Sequence, residues 1–176
     1  MDLAVIADAG RWLFMGAMVA LALNDVFTYR IPNWANAALA MSFFAFAGAA
    51  SLAGANIWWI SHLAAAAVVF AVGLLMFQFN ALGGGDVKLL TAAALWVGMQ
   101  GLLALMVTVG LAGGALALML LFLRRNLMPL VAWAAPRPLQ SWPRVFTPGE
   151  KVPYGVAIAI GAILIASQGR YGLFSF

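Results

Sequence analysis

The sequence predicts an all-α polytopic membrane protein of about six transmembrane helices with its N-terminus outside, and three observations lead there. Of its 176 residues, 66% are hydrophobic and only 8% charged, whereas a soluble domain of this size carries about a quarter charged residues to solvate its surface. Apolar stretches near the length of one helical membrane crossing, about 20 residues, recur along the whole chain. The few basic residues flank those stretches and fall mostly on one side of them, as orientation in a bilayer requires.

The spans are expected at residues 4–24, 34–52, 57–79, 86–98, 101–123 and 153–169. In the first, Trp12 to Leu23 has the length of a signal-peptide core, and Ala20-Leu21-Ala22 resembles a cleavage site. A signal peptide carries a positive N-terminal flank, however, and Asp2 and Asp8 give the opposite, so a retained helix is expected. The fourth span is short. The apolar run from Leu89 to Leu123 is nevertheless too long for one crossing, and Gly98-Met99-Gln100-Gly101 supplies a turn inside it.

With the N-terminus outside, Arg30, Lys88, Arg124, Arg125, Arg137, Arg144 and Lys151 share one side, and only Arg11 and Arg170 fall on the other. The positive-inside rule makes the first side cytoplasmic. The stretch 124–152 carries Pro136, Pro138, Pro143 and Pro148 among Trp133, Trp142, Phe146 and several basic residues. Prolines at that density forbid a continuous helix, and aromatic and basic residues mixed this way suit the inner headgroup zone. The whole chain, 1–176, reads as one domain.

Several chemistries drop out early. Without cysteine there is no disulfide, thiol nucleophile or cysteine zinc module. A single histidine, His62, cannot build a histidine metal site, and it is expected at the outer interface. No metal or cofactor is expected. The net charge of +4 reflects membrane orientation and calls for lipid, not nucleic acid, as the neighbour.

That leaves five acidic residues: Asp2, Asp8, Asp25, Asp86 and Glu150. Asp25 and Asp86 each close the cytoplasmic end of a span, on different helices. Asp86 follows Gly83-Gly84-Gly85 and precedes Val87-Lys88-Leu89-Leu90, which opens a helix. An Asp there caps free N–H groups at the positive end of the helix dipole, and the glycines leave the backbone open to an extended peptide. As structure alone, this is a capped helix after a flexible turn. Asp25 opens Asp25-Val26-Phe27-Thr28-Tyr29-Arg30-Ile31-Pro32-Asn33, where Pro32 stops one helix and can open the next. As structure alone, it is an Asp marking a helix end, paired with Arg30.

Two carboxylates at one face are the requirement of one hydrolytic mechanism, which needs neither a metal nor a covalent intermediate. They share a proton: the ionised member takes a proton from water, and the protonated one donates to the carbonyl oxygen. The chain has no His-Glu-x-x-His zinc motif and no Gly-x-Ser-x-Gly elbow. Two other readings use the same residues: a small transporter with Asp25 and Asp86 as a proton or cation site, and a non-catalytic assembly scaffold. The chain shows no pair of matched halves, which weighs against a transporter.

These residues also resemble a known family. Asp-x-x-x-x-Arg-Ile-Pro-Asn from Asp25 to Asn33 looks like the first signature of the type IV prepilin peptidases. Gly83-Gly84-Gly85-Asp86-Val87-Lys88-Leu89 is similar to their Gly-x-Gly-Asp signature, and Lys151-Val152-Pro153-Tyr154-Gly155 resembles the opening of their final span. All three come in the family's order. The resemblance implies an inner-membrane aspartic protease of bacteria with Asp25 and Asp86 as its catalytic pair. It would cut the basic leader from prepilin-like subunits on the cytoplasmic side, after a glycine that precedes the hydrophobic pilin helix. Larger members carry a cysteine-containing cytoplasmic segment and also N-methylate the new terminus. This chain lacks both segment and cysteines, so it looks like the short form of tight-adherence (Flp-type) pili, for which methyltransferase activity is not expected. Around the pair, Gly83, Gly84, Gly85, Lys88, Arg30, Pro32 and Asn33 are expected to support the site or bind substrate, with Lys88 either drawing an acidic substrate residue or snorkelling to headgroups. Asn24, Gln78 and Asn80 are further polar groups near it. Gly110, Gly113 and Gly114 are expected to permit close helix packing.

Overall fold

The structure, a computed structural model, describes residues 2–127 and 152–175. Most of the stretch 124–152 therefore lies outside the described residues. Helix α1 spans Leu3–Thr28, α2 Asn33–Leu52, α3 Trp59–Gln78, α4 Gly84–Phe122 and α5 Tyr154–Ser167. A short π-turn, Leu123–Leu127, follows α4, and a single 3-10 turn, Gly172–Phe174, follows α5. Among the described residues five helical segments are long and apolar enough to cross a membrane. At 1.5 Å per residue α1 is roughly 39 Å long, enough for a crossing with some tilt.

The fourth helical segment does not cross once. Gly98 adopts φ 70, ψ 178 inside α4, a conformation that a residue with a Cβ rarely adopts, and the chain reverses there. The reversal shows in the neighbours of the second arm. Gly101 lies against Tyr171, Gly161 against Val109, and Gly113 against Ala157 and Tyr154, so this arm and α5 run antiparallel. The described residues thus make six helical passes, with the turn placed where the over-long apolar run demanded one. The first arm, residues 84–97, is only about 21 Å long. That is shorter than a hydrocarbon core of roughly 30 Å, so it either thins the bilayer or sinks one of its ends.

In an unbroken helix the Met99 N–H and the Leu95 carbonyl would be partners four residues apart. At the break each meets a side chain from the first turn of α3. Met99 N–H donates to Ser61 Oγ at 3.0 Å, and His62 Nδ1 donates to the Leu95 carbonyl at 2.7 Å. His62 is therefore a buried clamp on the reversal, 5% exposed, and not the interface residue expected from its position near a span end. His62→Ala leaves a buried carbonyl unmet and is expected to lower stability by about 1–3 kcal/mol, read as an earlier thermal unfolding midpoint in detergent.

Below the reversal the core is built on Trp96. Its ring packs with Phe14 at 5.3 Å, Phe43 at 6.0 Å and Phe174 at 5.8 Å between centroids, and its indole N–H donates to the Leu39 carbonyl at 3.0 Å. Burying the indole donor with a partner avoids the desolvation penalty of an orphaned N–H. This cluster joins α1, α2, α4 and the C-terminal turn. The glycines of close approach also differ from expectation. A Cβ at Gly161 would stand 2.7 Å from the Val109 backbone nitrogen, whereas among the described residues nothing lies within 4 Å of one at Gly110 or Gly114. Those two face away from the described neighbouring helices, and Gly113 makes ordinary contact only.

Candidate active site

The end of the bundle opposite the Gly98 reversal gathers the polar residues. Helix α1 ends at Thr28, and Tyr29 caps it in the left-handed region at φ 53, its N–H on the Asp25 carbonyl at 2.8 Å. Asn24 and Thr28 then brace the exit of the chain. Asn24 Nδ2 donates to the Arg30 carbonyl at 2.6 Å, and Thr28 Oγ1 takes the Arg30 N–H at 3.2 Å. Pro32, extended at φ −63, ψ 136, is the N-cap of α2, as its fixed ring and missing N–H predict.

Asp25 lies within α1, one turn before its end, and is only 5% exposed. Its carboxylate is met from the far end of the chain: the Gly155 N–H, in the first turn of α5, donates to Asp25 Oδ2 at 2.9 Å. The first N–H groups of a helix have no intrahelical partner and carry the positive end of the dipole. Asp25 therefore fills the N-terminal anion position of α5. The fit is close: a Cβ at Gly155 would stand 2.7 Å from Oδ2.

Asp86 occupies a similar position on its own helix. The N-cap of α4 is Gly83, so Gly84 and Gly85 already belong to the helix and Asp86 is its third residue. It is a first-turn acid and not the cap expected from sequence, because the glycine pair takes up helical geometry. Its carboxylate folds back over the helix start, so that a Cβ at Gly83 would stand 2.7 Å from Asp86 Oδ2. A Cβ at Gly85 would meet that of Ile31 at 3.2 Å. The glycines thus serve close packing around Asp86 more than a mobile turn.

Both carboxylates line one cavity of about 720 Å³, together with Asn24, Thr28, Arg30, Pro32, Asn33 and the three glycines. Of the residues expected to form or support the pair, all but one converge here. The exception is Lys88, whose ammonium donates to Asn33 Oδ1 at 2.8 Å and bridges the two motifs from outside the cavity. Arg30 lines the cavity without an ion pair to Asp25; the ion pair between described residues is Arg11–Asp8. Gln78 and Asn80 do not line it. Asn24 does, but its amide is spent on the turn. The described residues hold no group of three or more His, Cys, Asp or Glu side chains suited to a metal.

Sequence reasoning missed two partners of the site. Gly155 was visible in Pro153-Tyr154-Gly155, but only as a motif, with no sign that its N–H meets Asp25. Asn36, buried in α2, donates from Nδ2 to the Gly85 carbonyl at 3.2 Å. Its i, i+3 relation to Asn33 was the one available signal.

A polytopic helical membrane protein with two carboxylates of different helices in one cavity is the class this geometry defines. The family model for the type IV leader peptidases matches residues 12–118, more than half of the chain, and the protein belongs to that family. The match takes in Asp25–Asn33 and Gly83–Lys88; the Pro-Tyr-Gly stretch lies beyond it. No curated protein and no solved structure matched the chain.

Proposed function

We propose that the protein is an aspartic endopeptidase that removes the basic leader from prepilin-like subunits at the cytoplasmic face of a bacterial inner membrane. The observation that carries the reading is the shared cavity: Asp25 and Asp86, from helices far apart in sequence, line the same space, in a chain of the type IV leader peptidase family. Family membership supports a prepilin-like substrate. The charge distribution supports the cytoplasmic face, because Arg30 and Lys88 share an end of the bundle with both acids.

In this mechanism the ionised carboxylate takes a proton from water as its oxygen attacks the scissile carbonyl carbon. The protonated partner gives its proton to the carbonyl oxygen, and the tetrahedral intermediate collapses with proton return to the leaving amine. No covalent enzyme intermediate forms. Co-expression with a candidate prepilin tests the reading: the subunit is expected to shift to its mature size. A precursor left at full length, with ion-dependent flux in proteoliposomes, would replace this reading with the transporter.

A further inference from the structure

We propose that Asn36 is a positioning residue for Asp86, acting through the carbonyl of Gly85; this rests on the reading of Asp86 as half of a proteolytic pair. Asn36 lies one turn into α2 and is 4% exposed. A carbonyl only accepts, so the bond to Gly85 fixes the amide orientation, with Nδ2 toward α4 and Oδ1 away from it. That Oδ1 is buried with no hydrogen-bond partner among the described residues.

Native proteins rarely leave a buried amide oxygen unmet, and an apolar residue of the same size would remove the penalty. The Gly85 carbonyl is in the first turn of α4 and still has the partner that helix geometry gives it, so the fold does not require the amide. What the amide adds is a directional tie between α2 and the peptide unit that leads into Asp86. A second tie lies one turn along each helix, where Lys88 reaches Asn33. Asn33 and Asn36 on α2 face Gly85 and Lys88 on α4, both pairs at i, i+3 spacing, so the two first turns are joined at two points. Ile31 closes the third side of Gly85. The Asp86 backbone is thereby referenced to the linker that leaves the Asp25 helix. A local violation that stability alone would remove, next to a candidate reacting group, is where positioning is expected.

The test uses the full-length protein in liposomes with a synthetic peptide of basic leader, glycine and apolar helix. Asn36→Leu keeps the branched four-atom side chain and deletes the donor. It is expected to lower kcat on the order of 10²-fold while KM holds, since substrate contacts are untouched. Asn36→Asp keeps the shape, and its neutral carboxyl can donate to Gly85 where its carboxylate cannot. Its kcat relative to wild type is expected to rise as pH falls, a response Asn36→Leu lacks. Lys88 is the charged side chain lining the adjoining cavity with Asn36, so the midpoint is read from the profile. Wild-type kcat in Asn36→Leu overturns the proposal, as does an Asn36→Asp variant equally impaired at every pH; if Asn36→Leu does not fold, Asn36→Asp decides. Asp86→Asn is run alongside. If it cleaves normally the proteolytic pair itself fails, whereas an inactive Asp86→Asn beside a fully active Asn36→Leu overturns positioning alone.

Discussion

Asp25→Asn and Asp86→Asn are each expected to abolish leader removal while leaving the protein folded in the membrane. An amide keeps the size of the carboxyl and much of its hydrogen bonding, so α5 still finds an acceptor for the Gly155 N–H. It cannot take a proton from water or hand one to a carbonyl oxygen. The expected loss for a single general acid or base is about 10²- to 10⁴-fold. The double variant is expected to be little worse than either single one, because two halves of one proton circuit do not contribute additively. Wild-type activity should follow a bell-shaped pH profile: it falls at low pH as the base is protonated, and at high pH as the acid loses its proton. Conversion of a prepilin to its mature size is the readout, with Asp8→Asn as a control remote from the cavity. Normal processing by either Asp variant removes the aspartic mechanism, and retained pilus formation in the double variant favours the scaffold reading.

How much of this was legible in the sequence depends on the range of the interaction. Span positions were legible because bilayer thickness fixes helix length, and the reversal because the apolar run from Leu89 was too long for one crossing. The end of α1 was placed too early. A carboxylate in an apolar stretch reads as the membrane boundary, so the sequence alone ends the first span before Asp25. In the fold Asp25 sits inside the helix because a partner 130 residues away in sequence, the Gly155 N–H, compensates its burial. Spacing within one helix carries no trace of such a partner. His62 failed for the same reason: its role depends on a carbonyl freed by the break at Gly98. Lys88 reads in sequence as a substrate contact or a snorkelling residue, and its partner in the fold, Asn33, lies on another helix. The two acids themselves were legible because so few charges survive in a membrane chain.

Gly155→Ala is the variant that tests the placement of Asp25 without removing any titratable group. The added methyl would stand 2.7 Å from Asp25 Oδ2, 2.9 Å from its Cγ and 3.0 Å from Ile31 Cδ1. Helix geometry favours alanine over glycine by about 1 kcal/mol, so α5 itself gains. The nearest described atoms belong to the carboxylate and the Ile31 side chain, and the carboxylate has to move or lose its N–H. A displacement of that size at a reacting group costs on the order of 10²-fold in rate, and the loss is expected in kcat. Gly161→Ala supplies the comparison. There the methyl would meet the Val109 backbone, 2.7 Å from its nitrogen, far along α5 from the acids. Overpacking of that kind costs about 1–3 kcal/mol, so this variant is expected to unfold earlier yet cleave normally per folded molecule. If Gly155→Ala also loses only stability, with kcat unchanged, then the contact between Asp25 and the start of α5 holds the helices together and does not set the geometry of the acid pair.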